Sequence, residues 1–201
     1  MPLPADLIDE VIRNLKRVEH LVVLYEEKVG AGRGRKDVPV SDILRAATVF
    51  LHATLEDFLR RLASRSLPTA PAEVLDKVPL VGLEGRAEKF FLGALVAHRN
   101  KSVEQVLQAS IEAHLNRANY NDPDEIASLL RSLGIDPARV NGRFGDLREM
   151  MERRHLIVHQ ADRNAAAGPG QHSAKSIGRK KVKLWIDAVT TFVASVADES
   201  K

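Results

Sequence analysis

The sequence contains no cysteine and few aromatic residues. The absence of cysteine from all 201 residues excludes disulfides and cysteine-based metal or redox sites, and it is typical of proteins of the reducing cytoplasm. Aromatic residues make up only 4% of the chain, so the core must consist mainly of Leu, Val, Ile and Ala. We therefore expect a cytoplasmic protein with packed helices.

Long apolar runs and strand patterns are also missing. No stretch approaches the roughly 18–20 apolar residues of a membrane span, and the amino terminus does not resemble a signal peptide, so no membrane partner is expected. No segment alternates apolar and polar residues as strands do. The sequence predicts one all-α domain over residues 1–201, a helical bundle of about five to seven helices. Glycine-rich and basic segments near residues 29–40 and 164–175 are expected to be flexible loops.

Apolar residues at spacings of three and four predict the long helices. In the first helix, Ala5 to Lys28, they are Leu7, Val11, Leu15, Val18, Val22 and Tyr25. In the second they are Ile43, Ala47, Phe50, Thr54, Leu55, Phe58 and Leu62. In the last, Ser176 to Ala197, they are Val182, Trp185, Val189, Phe192, Val193 and Val196. A further helix is expected over Leu83–His98, with Phe90, Phe91, Ala94 and Leu95 facing inward.

Helix starts are indicated by capping residues. Ser41 is a candidate N-cap for the second helix. Ser102 and Gln105 have the spacing of a capping box, and Asp122 followed by Pro123 combines an N-cap acid with proline at the first helical position. Gly134 is expected to end the helix that Asp122 begins.

Positive charge is modest overall but clustered. The formal net charge is +3, too small by itself to establish a nucleic-acid partner. Basic residues cluster in one loop and again near the carboxyl end: Arg33, Arg35 and Lys36, then Lys175, Arg179, Lys180, Lys181 and Lys183. Both clusters could attract phosphate groups, or they could be solvated surfaces.

A helix predicted from Asp146 to Arg163 has an arginine where an apolar residue is expected. Its apolar residues lie within about 60° of one direction at 100° per residue, and Arg154 lies at the centre of that face. They are Leu147, Met150, Met151, Ile157, Val158 and Ala161. A buried guanidinium must be paired or used: Glu56 or Asp57 could pair with it, or it could bind a phosphate together with His159, roughly 7.5 Å further along the axis.

His155 and His159 allow a second interpretation. Two histidines four residues apart can hold zinc on one helix face, which would require a third ligand such as Glu152 or Asp162. A zinc-dependent hydrolase is therefore an alternative to a site without metal.

The run Glu152–Asp162, ERRHLIVHQAD, resembles the R-x4-H signature of HEPN proteins. The resemblance extends to the RiboL-PSP-HEPN branch through ATLEDFLR at 53–60 and NDPDEIASLLRSLGID at 121–136, and it covers the chain from about Val40 to its end. One departure is Ala161, where relatives silenced by nucleotidylation have tyrosine, so that mode of control is not expected here.

The resemblance implies a metal-independent endoribonuclease without a cofactor. In such enzymes the ribose 2′-hydroxyl of the RNA attacks the adjacent phosphate and leaves 2′,3′-cyclic phosphate ends. The reaction takes place in a cleft that two protomers of a homodimer share. By this resemblance Arg154 and His159 are catalytic, and His155 and Glu56 support them. Further RNA contacts are assigned to Arg153, Arg163, Lys175, Arg179 and Lys180. Many relatives are toxins with a cognate antitoxin or phage-defence effectors; others keep the fold without activity, so a non-catalytic module binding RNA, a nucleotide or a partner protein is the alternative.

Overall fold

The computed structural model describes residues 3–29, 38–82, 92–164 and 174–200. These residues form seven α-helices and four short 3-10 helices, and they contain no named strand. The α-helices are α1 (Ala5–Val29), α2 (Val38–Ser66), α3 (Ala72–Leu75), α4 (Val103–Arg117), α5 (Pro123–Ser132), α6 (Phe144–Gln160) and α7 (Arg179–Glu199). The 3-10 helices are Leu67–Thr69, Leu92–His98, Pro137–Arg139 and Asn141–Arg143. The predicted all-α fold is confirmed.

Helix α2 lies at the centre of the bundle. It packs along α1 and also contacts α4, α6 and α7, while α7 packs on α1 and α6. The main core lies between these helices. A smaller apolar cluster joins the end of α2 to α4 through Ala63, Leu67, Ile111 and Leu115. The helix that carries the motif, α6, is therefore held against α2 on one side and α7 on the other.

The apolar stripes predicted for α1 and α7 are confirmed. All six predicted residues of α1 and all six of α7 are buried. The capping box of Ser102 and Gln105 is also present, with Ser102 Oγ accepting from the Gln105 N–H at 3.2 Å and Gln105 Oε1 accepting from the Ser102 N–H at 2.8 Å. Asp122 caps α5 as expected, and Gly134 follows that helix with φ +74°. These features depend on neighbours within a few residues, which a sequence shows directly.

Two expectations for α2 are wrong. The helix begins at Val38, so Ser41 lies inside its first turns and is not the N-cap. Proline is tolerated in the first turn of a helix, which lets Pro39 belong to α2. Phe50 is 47% exposed, with its ring 5.4 Å from the Arg17 guanidinium carbon. The buried side of the helix is instead set by Leu51, which is fully enclosed and points about 100° away from Phe50.

The helix predicted over Leu83–His98 is only partly described. Residues 83–91 lie outside the described part of the chain, as do the basic residues of the first loop and residues 165–173 of the second predicted loop. Residues Leu92–His98 form a 3-10 helix, and Leu95 is 42% exposed, so its predicted inward position is wrong. A 3-10 helix turns every three residues, and the four-residue spacing that would bring Leu95 to a buried face is not formed. Among the described helices, none is long and apolar enough to cross a membrane.

Candidate functional site on the motif helix

Only the first half of α6 has fully buried apolar side chains. Leu147, Met150 and Met151 lie in the core as predicted. Further along, Ile157 is half-buried and Val158 is 47% exposed. The prediction of one buried stripe reaching residue 161 is therefore wrong, because the apolar side chains beyond Met151 are only half-buried or exposed.

The buried arginine of this helix is Arg153, whereas Arg154 is only half-buried. The expected position of Arg154 at the centre of a buried face is therefore wrong. Arg153 Nη2 donates to Asp162 Oδ2 at 2.7 Å, to the Lys175 carbonyl at 2.7 Å and to the Ser176 carbonyl at 3.0 Å. Burial lowers the pKa of Arg153, although the Asp162 carboxylate acts in the opposite direction. Because these acceptors enclose its guanidinium, Arg153 presents little surface to an RNA.

Arg154 has few partners. Its Nη1 donates to Asn121 Oδ1 at 3.5 Å, and its Nε is buried without a hydrogen-bond partner among the described residues. The expected ion-pair partners are engaged elsewhere: Asp57 pairs with Arg61 at 2.9 Å, and Glu56 lies with its own helix neighbours. The Nη groups of Arg154 thus have few acceptors among the described residues, which leaves them free to donate to a phosphate group.

His155 and His159 lie next to each other on the exposed surface of α6. Their ring centroids are 4.7 Å apart, with 42° between the ring planes. The two rings follow Arg154 on the last two turns of the helix. The motif therefore combines two exposed imidazoles with a half-buried guanidinium that has few acceptors, the groups suited to binding a phosphodiester and exchanging protons near neutral pH.

Glu56 lies in a largely buried polar cluster on α2. Its Oε2 is 3.5 Å from Nδ1 of His52, and its Oε1 is 3.7 Å from Nη2 of Arg60. Burial alone would raise the pKa of Glu56, but His52 and the nearby positive charges of Arg60 and Arg154 outweigh it and lower the pKa below 4.5. Glu56 is therefore ionised, and its negative charge attracts the Arg154 guanidinium without forming a direct ion pair.

Tyr120 and Asn121 connect this cluster to the segment before α5. Tyr120 is buried, and its carbonyl lies 3.2 Å from Nε2 of His52. Burial raises the pKa of Tyr120 to about 12. Asn121 reaches Arg154, and its N–H donates to Glu125 Oε2 at 2.8 Å. Asn121 opens the segment that carries the family resemblance, but neither its role nor that of Tyr120 follows from the sequence.

A second polar group, of which the sequence indicated Asp162 only as a possible zinc ligand, lies at the end of α6. Ala161 and Asp162 adopt left-handed conformations, with φ of 49° and 55°, so the helix ends at Gln160 and not at Arg163 as predicted. Asp162 is fully buried and accepts hydrogen bonds from Arg45 and Arg153. Arg45 could have been found by the argument applied to Arg154, because it lies among the apolar residues of α2.

The other candidate RNA contacts lie at or near the surface. Arg163 is exposed, and its backbone pairs with Ala174 in an isolated antiparallel bridge. Lys175 and Lys180 are exposed, and neither side chain has an ion pair among the described residues. Arg179 lies 3.4 Å from Glu26. Lysines of the same cluster are also paired, Lys181 with Glu149 and Lys183 with Glu26, so acids partly neutralise this basic surface.

The described residues contain no group of three or more metal-ligand side chains placed to share an ion. Of the third ligands considered for a zinc ion on His155 and His159, Asp162 is held by two arginines. The described part of the chain thus lacks the third ligand that the zinc alternative requires.

Comparisons with known proteins gave one match. A protein-family model described as RiboL-PSP-HEPN matches residues 9–201. Neither the curated proteins nor the solved structures gave a significant match.

Proposed function

Because the chain belongs to the RiboL-PSP-HEPN family, we propose that it is a cytoplasmic, metal-independent endoribonuclease whose reacting groups are Arg154 and His159. The observation that carries this proposal is that two adjacent arginines have different hydrogen-bond partners. Arg153 is enclosed by a carboxylate and two carbonyls, while the Nη groups of Arg154 have few acceptors and the exposed His155 and His159 follow it on the same helix. A guanidinium with free Nη donors and neighbouring imidazoles suits a phosphodiester substrate.

In the proposed reaction, the ribose 2′-oxygen attacks the adjacent phosphorus and the bond from phosphorus to the 5′-oxygen breaks. The 2′-hydroxyl loses its proton and the leaving 5′-oxygen gains one, so the products are a 2′,3′-cyclic phosphate and a 5′-hydroxyl. Arg154 stabilises the negative charge that develops on the phosphorane oxygens. His159 transfers one of the two protons as general acid or base.

Neighbouring residues have supporting roles in this proposal. His155 packs against the ring of His159 and limits its orientation. Glu56 contributes negative charge close to Arg154. The exposed side chains of Arg163, Lys175, Arg179 and Lys180 offer positive charge to the RNA backbone beyond the scissile phosphate.

A second copy of the chain is the proposed partner at this surface. One protomer offers a single Arg154 and a single His159, whereas the reaction requires both an acid and a base. Val158 is 47% exposed on the same part of α6, and an exposed apolar side chain beside the reacting groups suits an interface between two copies of this helix. By analogy with the family, the physiological role is that of a toxin with a cognate antitoxin or of a phage-defence effector.

The test compares wild-type, Arg154→Ala and His159→Ala proteins with labelled tRNA and mixed cellular RNA in excess EDTA. His114→Ala is the matched control, because His114 is also an exposed helix histidine but lies on α4. We expect wild type and the control to cleave RNA and leave cyclic-phosphate ends, and both motif variants to lose cleavage. Equal cleavage by a folded His159→Ala protein would refute the proposal. RNA binding without cleavage by any of these proteins would instead favour a non-catalytic RNA-binding module.

A further inference from the structure

A buried carboxylate lies just beyond the motif. Asp162 follows His159 by three residues and is fully enclosed. Its backbone and that of Ala161 have positive φ, a conformation that residues with a β-carbon seldom adopt. The N–H of Asp162 donates to the Leu156 carbonyl at 2.9 Å and closes the last turn of α6. Something must hold two such residues in place at this helix end.

Two arginines from different helices hold the Asp162 side chain. Arg45 Nε of α2 donates to Asp162 Oδ2 at 2.6 Å, and Arg153 Nη2 of α6 donates to the same oxygen at 2.7 Å. The side chains of both arginines are 9% exposed, and that of Asp162 is 1% exposed. Charged hydrogen bonds of this kind are strong and directional. They fix the position of the carboxylate relative to α2.

The same arginines hold the chain that leads into α7. Arg45 Nη2 donates to the Lys175 carbonyl at 2.8 Å, and Arg153 Nη2 donates to it at 2.7 Å. In return, the Lys175 N–H donates to the Asp162 carbonyl at 2.7 Å. Helix α2, the end of α6 and the chain before α7 therefore meet at this single carboxylate. The last turn of α6, which bears His159, is fixed from outside the helix.

We propose that Asp162 is a positioning residue for His159. This inference rests on the proposed function, in which His159 exchanges protons with the RNA. Asp162 does not touch the substrate; it fixes the end of α6, and through it the direction of the His159 ring. Apolar packing gives the end of α6 less support than its beginning, because Leu156 and Ile157 are only half-buried and Val158 is exposed. Without the carboxylate, the two buried arginines would repel each other and release the last turn.

The first variant is Asp162→Asn, which keeps the shape of the side chain and removes its charge. In folded protein we expect kcat to fall by roughly tenfold to a hundredfold, the usual effect of a misplaced reacting group, with KM near the wild-type value. We also expect the imidazole NMR signals of His159 to shift, while those of the distant His20 and His114 stay unchanged. A change in kcat that leaves KM unaltered distinguishes positioning from loss of RNA binding.

Val196→Ala is the control for lost stability. Val196 is fully buried in α7, on the order of 25 Å along that helix from its first residue, and its truncation destabilises the core without touching Asp162. We expect this variant to keep the wild-type kcat and His159 signals. Loss of kcat and altered His159 signals in Val196→Ala as well would mean that Asp162 acts only through general stability, and would overturn the inference.

If Asp162→Asn does not fold, the variant Arg45→Lys tests the positioning role of Asp162 instead. It retains the positive charge, but a single ammonium lacks the planar fork that joins Asp162 to the Lys175 carbonyl. We expect kcat to fall and the His159 signals to shift, each by less than in Asp162→Asn. Wild-type kcat and His159 signals in this variant would refute the inference. Because the NMR signals of His159 do not require a substrate, they test the positioning role even if wild-type protein cleaves no RNA, an outcome that would count against the proposed function alone.

Discussion

The adjacent arginines of α6 provide the sharpest test of this structure, because the same substitution should destabilise the fold strongly at Arg153 and hardly at all at Arg154. Arg153→Gln removes a buried guanidinium that donates to the Asp162 carboxylate and to two carbonyls. Breaking a buried ion pair costs about 3–5 kcal/mol. We expect the lower end, roughly 3 kcal/mol, because Arg45 still holds Asp162 at 2.6 Å.

Arg154→Gln should leave the free energy of unfolding within about 0.5 kcal/mol of wild type, as surface substitutions usually do. The side chain is half-buried and its one hydrogen bond, to Asn121, is 3.5 Å long. For a chain of this length, the roughly 3 kcal/mol expected at Arg153 corresponds to a fall in Tm of about 6–12 °C. The difference between the variants is therefore much larger than the error of the measurement.

The assay is urea unfolding followed by far-ultraviolet circular dichroism, with the slope of each transition compared before free energies are subtracted. Glutamine at both positions removes the guanidinium and keeps a polar side chain, so each variant is the control for the other. Similar losses at the two positions, or a larger loss for Arg154→Gln, would refute the reasoning. The latter result would restore the interpretation of Arg154 as the buried arginine.

Two further predictions concern the cleft and its partner. Since the pKa of Glu56 is lowered by His52, Arg60 and Arg154, its ionised form stabilises the fold above about pH 4.5, and this contribution is lost as the pH falls through the lowered pKa. Wild type should therefore be more stable than Glu56→Gln near pH 6, and urea unfolding should find the difference smaller near pH 3; a difference independent of pH would contradict this. Val158→Asp should be monomeric in analytical ultracentrifugation and should not cleave RNA. The control Val103→Asp, at a 71% exposed position of α4, should remain a dimer that cleaves RNA. A dimeric Val158→Asp protein would exclude this face of α6 as the interface.

The resemblance to RiboL-PSP-HEPN proteins, read from the R-x4-H run and two upstream segments, is confirmed by the family model. Helices are also predicted correctly where the pattern that indicates them lies within a few neighbouring residues. The buried stripe of α1 follows from a spacing of three and four residues, and the start of α5 follows from Asp122 and Pro123. Such features depend on side chains within one or two helical turns, so their energies do not require knowledge of the rest of the chain.

Reasoning from one helix at a time fails where a distant residue decides. Periodicity placed Arg154 on the buried face because its apolar neighbours share one direction, and it assumed that the whole helix packs against the core. In the structure, the apolar side chains are fully buried only in the first half of α6. Phe50 was misplaced for a related reason, since an apolar residue at the edge of a stripe is buried only if a neighbouring helix covers it.

The sequence by itself determined an all-α chain, the long helices with their buried stripes, and a motif that pairs an arginine with two histidines. Only the tertiary structure decided which of two adjacent arginines is enclosed by acceptors and which is not. That choice depends on Asp162, which lies beyond the end of α6, and on Arg45, which is 117 residues away from it along the chain. A guanidinium is buried only where acceptors compensate for its lost hydration, and folding brings those acceptors to Arg153 but few of them to Arg154.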